Sequence, residues 1–228
     1  MNAKETAGLK AAELVDEGMV VGLGTGSTAD FAIRALGRRM ENGLTIKAIP
    51  TSIASEKLAR SLGIPLTKFE DHPVIDLTID GADEVDPKLD LIKGLGGALL
   101  REKIVAMSTV KQIIIIDSSK QVKKLGTRSP LPIEVIPFSW PLAFNELTKR
   151  ELRPKVRRTE TGQIFKTDNG NLIIDCEFPD GIEKPAETND WVNGLPGVVE
   201  NGLFVELTDL VIIGYDNGNS QFQERLQR

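Results

Sequence analysis

Four consecutive isoleucines, Ile113-Ile-Ile-Ile116, followed by Asp117, leave a strand no face to offer to water. A half-exposed strand alternates apolar and polar residues, so an unbroken β-branched run belongs in a sheet covered on both sides. Residues 19–23, Met-Val-Val-Gly-Leu, and 210–214, Leu-Val-Ile-Ile-Gly, have the same character, and residues 74–79 are also extended. Helical patterns separate the earlier strands. Ala7, Ala11, Leu14 and Val15 recur at helical spacing; Ser27 and Thr28 can cap a helix carrying Phe31, Ile33, Leu36 and Met40. Residues 44–49 are extended, 52–62 are helical until Gly63 ends them, and 98–107 are again helical. Strands alternating with helices require crossovers of one hand and predict an α/β fold with a Rossmann-like, mostly parallel sheet.

The alternation breaks at Ser129-Pro-Leu-Pro-Ile-Glu-Val-Ile-Pro137, whose prolines prevent regular helix and discourage a central strand. A boundary there predicts an α/β catalytic domain of residues 1–129 and 208–228 and a smaller α+β domain of residues 130–207. The smaller domain would hold a helix over 141–152, a hairpin of 156–159 with 173–178 around the turn Thr167-Asp-Asn-Gly170, a helix over 186–193 and a strand over 198–207. The tail after Asn217 is polar and reads as mobile.

Composition narrows the function classes. With 228 residues, 40% hydrophobic and 27% charged, the chain can bury one substantial core and a second small one. Its net charge of −5 offers no broad positive surface for nucleic acid, but leaves room for a local basic pocket around a small anion. No apolar run approaches the ~18 residues of a membrane span, and the first residues lack a signal-peptide core, so the sequence reads as neither exported nor membrane-bound. The single cysteine, Cys176, cannot form an internal disulfide, fits a reducing cytoplasm and reads as structural. The single histidine, His72, sits in a turn-like Glu-Asp-His-Pro and reads as a solvated loop residue.

Two polar clusters carry chemistry. Gly22-Leu-Gly-Thr-Gly-Ser-Thr28 lies between a strand and a helix, where backbone N–H groups and hydroxyls meet the positive end of the helix dipole. The dinucleotide fingerprint would need a glycine at Ser27 and an acid about 20 residues on. The chain reads Ile49-Pro-Thr-Ser52 there, and no Gly-Lys-Ser/Thr follows the loop, so a phosphate monoester is the expected guest. The second cluster follows the 74–79 strand: Asp80-Gly-Ala-Asp-Glu-Val-Asp86, then Lys93-Gly-Leu-Gly-Gly97 and Glu102. It belongs at the carboxyl edge of the sheet, where open α/β folds bind ligands. So many acids raise a divalent metal, but neither histidine nor an EF-hand spacing accompanies them, and no metal is expected. Carboxylates beside Lys93 fit acid–base chemistry with a cation to steady a developing oxyanion.

In order along nearly the whole chain stand Gly24-Thr-Gly-Ser-Thr28, Asp80-Gly-Ala-Asp-Glu84, Leu91-Ile-Lys-Gly94, Gly97-Ala98, Arg101-Glu-Lys-Ile104, Asp117-Ser-Ser-Lys120, Pro130-Leu-Pro-Ile-Glu-Val-Ile-Pro137, Thr167-Asp-Asn-Gly-Asn171 and Leu195-Pro-Gly-Val198. Through these motifs the sequence resembles the ribose-5-phosphate isomerase family of the A type. The resemblance implies reversible isomerisation of ribose 5-phosphate to ribulose 5-phosphate through a cis-enediolate, without a cofactor, in a cytoplasmic homodimer or homotetramer. It implies that Glu102 transfers the carbon-bound proton, that Asp80 and Asp83 handle hydroxyl protons and that Lys93 acts beside them. Thr25, Gly26, Ser27 and Thr28 would hold the phosphate and sugar, with Gly81, Ala82, Gly94, Leu95, Gly96 and Lys120 contacting substrate and Lys4 at the phosphate. Leu95 departs from the third consecutive glycine of some members, with its amide still able to face the ligand. A metal-assisted or deaminating sugar-phosphate isomerase, or a non-catalytic sensor, stands as the rival reading; a sensor of the transcriptional kind would add a helix-turn-helix, for which residues 1–21 are too short.

Overall fold

The computed structural model describes residues 2–225. In chain order its elements are α1 (Ala3–Ala12), β1 (Val20–Leu23), α2 (Ala29–Glu41), β2 (Lys47–Pro50), α3 (Ile53–Ser61), β3 (Ile75–Gly81), β4 (Glu84–Val85), β5 (Leu91–Ile92), α4 (Leu99–Met107), β6 (Thr109–Asp117), a 3-10 turn (Ser118–Lys120), β7 (Leu131–Val135), α5 (Trp140–Lys149), β8 (Arg153–Val156), β9 (Leu172–Glu177), α6 (Pro185–Asn193), β10 (Val198–Asn201), β11 (Leu203–Phe204), β12 (Leu210–Gly214) and β13 (Ser220–Glu224).

These elements form two compact units. The first comprises the described residues up to Ala82, Arg101–Lys120 and those from Leu207 on; the second comprises Asp83–Leu100 and Gln121–Glu206. The predicted division ran through residues 129 and 208. The observed one instead gives 83–100 to the second unit, because β5 pairs with β11 and β4 pairs with β5. No helix of the described residues is long and apolar enough to cross a membrane.

The first unit is the α/β layer the alternation implied. Its six-stranded sheet runs β13-β12-β6-β3-β1-β2, parallel except for the edge strand β13. The isoleucine run is β6, fully buried over 113–116, with β3 on one side and β12 on the other. Val21, Leu77, Ile79, Ile113, Ile115 and Ile212 pack with Ala7 and Ala11 of α1 and Ile33 and Leu36 of α2. Val20 instead packs with Ile49, Ile75 and Val105 of α4. Strand order turns back between β1 and β3, so the loops after these strands open at a switch point, the usual ligand crevice of such sheets.

The second unit is an antiparallel sheet, β10-β7-β9-β8, with α5 and α6, beside the three-stranded β11-β5-β4. Its core joins Leu131, Ile133, Val135, Ile174 and Cys176 with Ala143 and Leu147 of α5 and Val192 of α6. The Thr167-Asp-Asn-Gly-Asn171 turn packs on a buried carboxylate: Thr167 Oγ1, Asn169 Nδ2 and Asn171 Nδ2 donate to Glu134 Oε1 at 2.9, 3.3 and 2.9 Å. Glu84, fully buried, accepts backbone N–H bonds from Gly126 (2.6 Å), Arg128 (2.7 Å) and Ser129 (2.5 Å).

Several local expectations are corrected. The proline-rich segment forms β7 inside its sheet. Pro132 turns its carbonyl to Gly202, and its missing N–H falls on that same side, beyond the last β10 pair, Asn201 with Ile133. The strand expected over 198–207 splits at Gly202 into β10 and β11, which join different sheets. The hairpin partner of β9 is β8, shifted toward Arg153. The tail expected to be mobile forms β13 through residue 224, turning at Asn217-Gly218, where Gly218 has φ 80°; residues 226–228 lie outside the described residues. Thr28 occupies the N-cap position of α2, but its hydroxyl makes no capping bond.

Two tests follow from this packing. Glu84→Ala leaves three part-buried amides without their acceptor and is expected to lower stability by about 3 kcal/mol, read as a lower urea midpoint. Burial, aided by Glu177 and Asp175, pushes the Cys176 thiol up to about 12. At pH 8 alkylating reagents are therefore expected to spare Cys176 in the native protein and modify it in denaturant, as mass spectrometry would show.

Candidate active site

In the first unit, β1 ends at Leu23 and the chain reverses through 24–28 into α2. Asp80, fully buried near the end of β3, fixes that reversal: its Oδ1 accepts the N–H of Thr25 at 3.0 Å and of Gly81 at 2.7 Å. Such closeness excludes a side chain at residue 24, where a Cβ would lie 2.2 Å from Asp80 Oδ1. The Thr25 hydroxyl is held by Thr51 Oγ1 at 2.7 Å and Ser52 Oγ at 2.8 Å. Ser52 is itself fixed as the N-cap of α3, accepting the Ser55 N–H at 3.0 Å. Thr25 is thus a wall of the loop, while Gly26 and Ser27 are its exposed crest.

Cations gather at this crest. Lys4 of α1 donates to Ser27 Oγ at 2.9 Å. Asp117, at the end of β6, is raised by burial, but the Ser119 hydroxyl and amide, then Lys120 and Lys4, outweigh this and hold its carboxyl below the usual range. The structure therefore brings Lys4, Ser27, Asp117 and Lys120 to one edge of the sheet, an arrangement fit for an anion. Glu102 lies in the first turn of α4 and is 4% exposed, so it is no surface glutamate of the ordinary kind. A carboxylate so placed can take and return a proton. His72 faces Lys47 at 3.2 Å, at the opposite, amino-terminal end of β2.

The second unit carries Asp83 and the 93–97 loop. Lys93 is 2% exposed; its N–H donates to the Gly202 carbonyl at 2.9 Å, and its Nζ lies 5.5 Å from the centre of the Phe204 ring. A Cβ at residue 202 would come within 2.2 Å of the Lys93 carbonyl, so only glycine admits this approach. The loop turns at Gly94 (φ 103°) and Gly97 (φ 83°), whereas Leu95 is outside the left-handed region and needs no glycine. The Leu95 amide, expected to face a ligand, donates to Asp83 Oδ2 at 3.0 Å. Other acids of the cluster are structural: Glu84 holds 126–129, and Asp86 Oδ1 accepts the N–H groups of Lys88 and Asp90 at 2.8 and 2.9 Å.

Sequence reasoning missed Thr51, Ser52, Gly202 and Phe204. Pro50-Thr-Ser52 carried a helix-capping signal that located α3 but not its bond to Thr25, and nothing local to Gly202 or Phe204 marks them as the seat of Lys93.

A family model described as ribose 5-phosphate isomerase A (phosphoriboisomerase A) matches residues 47–218. The ribose-5-phosphate isomerase A of Bacillus mycoides (strain KBAB4) is 49% identical over 222 residues, covering 97% of this chain and 100% of its own. That of Desulfatibacillum aliphaticivorans is 51% identical over 217 residues, 94% of each. Among solved structures, a D-ribose-5-phosphate isomerase in complex with phospho-erythronic acid superposes with a TM-score of 0.94 at 38% identity, covering 99% of this chain and 100% of its own. The Plasmodium falciparum ribose 5-phosphate isomerase does so with a TM-score of 0.94 at 40% identity and 98% coverage of both chains. The chain belongs to the ribose 5-phosphate isomerase A family.

Proposed function

We propose that this protein interconverts D-ribose 5-phosphate and D-ribulose 5-phosphate, an aldose–ketose isomerisation of the non-oxidative pentose phosphate pathway, through a cis-enediolate and without a cofactor. The observation that carries the reading is Glu102, a buried carboxylate in the first turn of a helix that follows a glycine loop, in a chain whose relatives are named for this reaction. The phospho-erythronic acid bound by a relative supports it, since its carboxylate is planar and anionic as an enediolate is.

The phosphate is held by Ser27, Thr28 and the amides of 26–28, with Lys4 and Lys120 supplying positive charge, while the Thr25 amide stays with Asp80. Anchoring that end lets binding energy far from C1 align the reacting carbons. Gly81, Ala82, Gly94 and Gly96 line the sugar with backbone, and Leu95 reaches it through Asp83. Asp80 takes the anomeric hydroxyl proton on Oδ2, because Oδ1 already accepts two amides, and returns that proton to the ring oxygen as the C1–O bond breaks and the furanose opens. Glu102 then removes the C2 proton; the electron pair forms the C1–C2 double bond and the charge moves to O1. Asp83 carries the O2 proton to O1. Glu102 returns its proton to C1, leaving a carbonyl at C2, so no proton or electron is lost. Lys93 steadies the oxyanion throughout.

We further place the protein in the cytoplasm as a homodimer or homotetramer with neither nucleic acid nor membrane as partner. The net charge of −5, the lone buried thiol and an exposed Phe138 (93%) on the second unit support this.

The decisive variant is Glu102→Gln, which keeps shape and removes the base. With EDTA present, wild type is expected to convert ribose 5-phosphate, and a folded Glu102→Gln to lose about 10³-fold in kcat. Equal activity would move the base to Asp80 or Asp83. Binding without turnover in wild type would make the protein a sensor.

A further inference from the structure

Arg157 lies outside every motif on which the family resemblance rests. It directly follows β8 and extends the pairing with β9, its N–H donating to the Ile173 carbonyl at 2.8 Å. Its side chain is 11% exposed. Nε donates to Asp175 Oδ2 at 2.8 Å and Nη2 to Asp175 Oδ1, a fork-to-fork pair that fixes the guanidinium plane. The remaining nitrogen, Nη1, donates to two successive carbonyls of the catalytic loop, Gly94 at 3.0 Å and Leu95 at 2.9 Å.

In a trans peptide the carbonyl and the following N–H point in opposite directions. Drawing the Gly94 carbonyl to Arg157 therefore sends the Leu95 N–H the other way, where it meets Asp83 Oδ2 at 3.0 Å. The Leu95 carbonyl turns the Gly96 N–H to that same side. Phe165 completes the seat: its ring centre is 5.7 Å from the guanidinium, and its Cζ lies 2.5 Å from where a Cβ on Gly97 would stand. One guanidinium thus sets two peptide planes and, through one of them, a carboxylate.

We propose that Arg157 is a positioning residue of the isomerisation, orienting the Gly96 amide and the Asp83 carboxylate without touching substrate. The inference rests on the isomerase reading above. Lysine could replace an ion pair to Asp175, but a single ammonium cannot hold that carboxylate as a fork and both carbonyls as well. A residue needed only as the ion-pair partner of Asp175 would be rescued by lysine; a residue that aims peptide planes would fold with lysine and still lose activity.

The test compares wild type, Arg157→Lys and Arg157→Met in steady-state conversion of ribose 5-phosphate, with circular dichroism confirming the fold. Both variants are expected to lose about 100-fold in kcat, since small misplacements of reacting groups cost that much. KM should stay within about threefold, because the phosphate end is anchored by other residues. Wild-type kcat in folded Arg157→Lys overturns the proposal. So does an Arg157→Lys variant too unstable to fold, which would assign the residue to stability; if only Arg157→Met fails to fold, the lysine variant decides. A wild type that does not turn over sinks the isomerase reading, whereas active wild type with an equally active lysine variant sinks the role of Arg157 alone.

Discussion

The Asp80 carboxylate is the constraint on which the first unit's site depends. A fully buried acid is costly unless its oxygens are hydrogen-bonded, and Oδ1 meets that demand with the amides of Thr25 and Gly81. Satisfying the charge therefore ties the β1–α2 reversal to the end of β3. It also explains Gly24, since any side chain there would fill the carboxylate's place. The β1–α2 loop and the Asp80 carboxylate become one rigid object, held at the sheet's switch point by strands that bury every isoleucine of β6.

The second unit applies the same rule repeatedly. Glu84 gathers three amides of 126–129, Glu134 gathers the side chains of the Thr167–Asn171 turn, and Asp175 holds Arg157 against the loop. Each of these carboxylates, Glu84 and Glu134 fully buried and Asp175 partly so, cross-links chain segments far apart in sequence, and one such link ends at the loop that carries Lys93. Lys93 is positioned from two directions, by the Gly202 carbonyl on its backbone and the Phe204 ring on its side chain. The acid-rich stretch that invites a metal reading orients backbone: Glu84, Asp86, Asp80 and Asp83 each accept main-chain N–H groups.

Local patterns made much of this legible. The unalternating isoleucines gave a doubly covered parallel strand, and the glycines beside hydroxyls gave a strand-to-helix loop, whereas Glu102, flanked by Arg101 and Lys103, reads locally as a surface residue and only the fold shows it buried. Tertiary demands hid the rest. Pro132 inhabits an inner strand because its missing donor lies past the end of a ladder, which depends on where β10 stops. The break at Gly202 depends on the approach of Lys93, more than a hundred positions earlier in the chain. Arg157, in Lys-Val-Arg-Arg, carries no local signal, and its meaning appears only when β8 and β9 pair. The strand β13, by contrast, was signalled by Asn217-Gly218 and overlooked because its residues are polar.

At the centre of this account, carboxylates carry protons, and carbon-bound hydrogen passes through an enediolate. Running ribose 5-phosphate to partial conversion in D₂O and examining the ribulose 5-phosphate by proton NMR tests this most directly. A base that exchanges its proton with solvent while the enediolate waits leaves deuterium at C1, at no more than one atom per turnover, and that is the predicted result. Product free of deuterium at every stage of conversion, together with full activity in Glu102→Gln, would indicate direct hydride transfer from C2 to C1 and contradict the account.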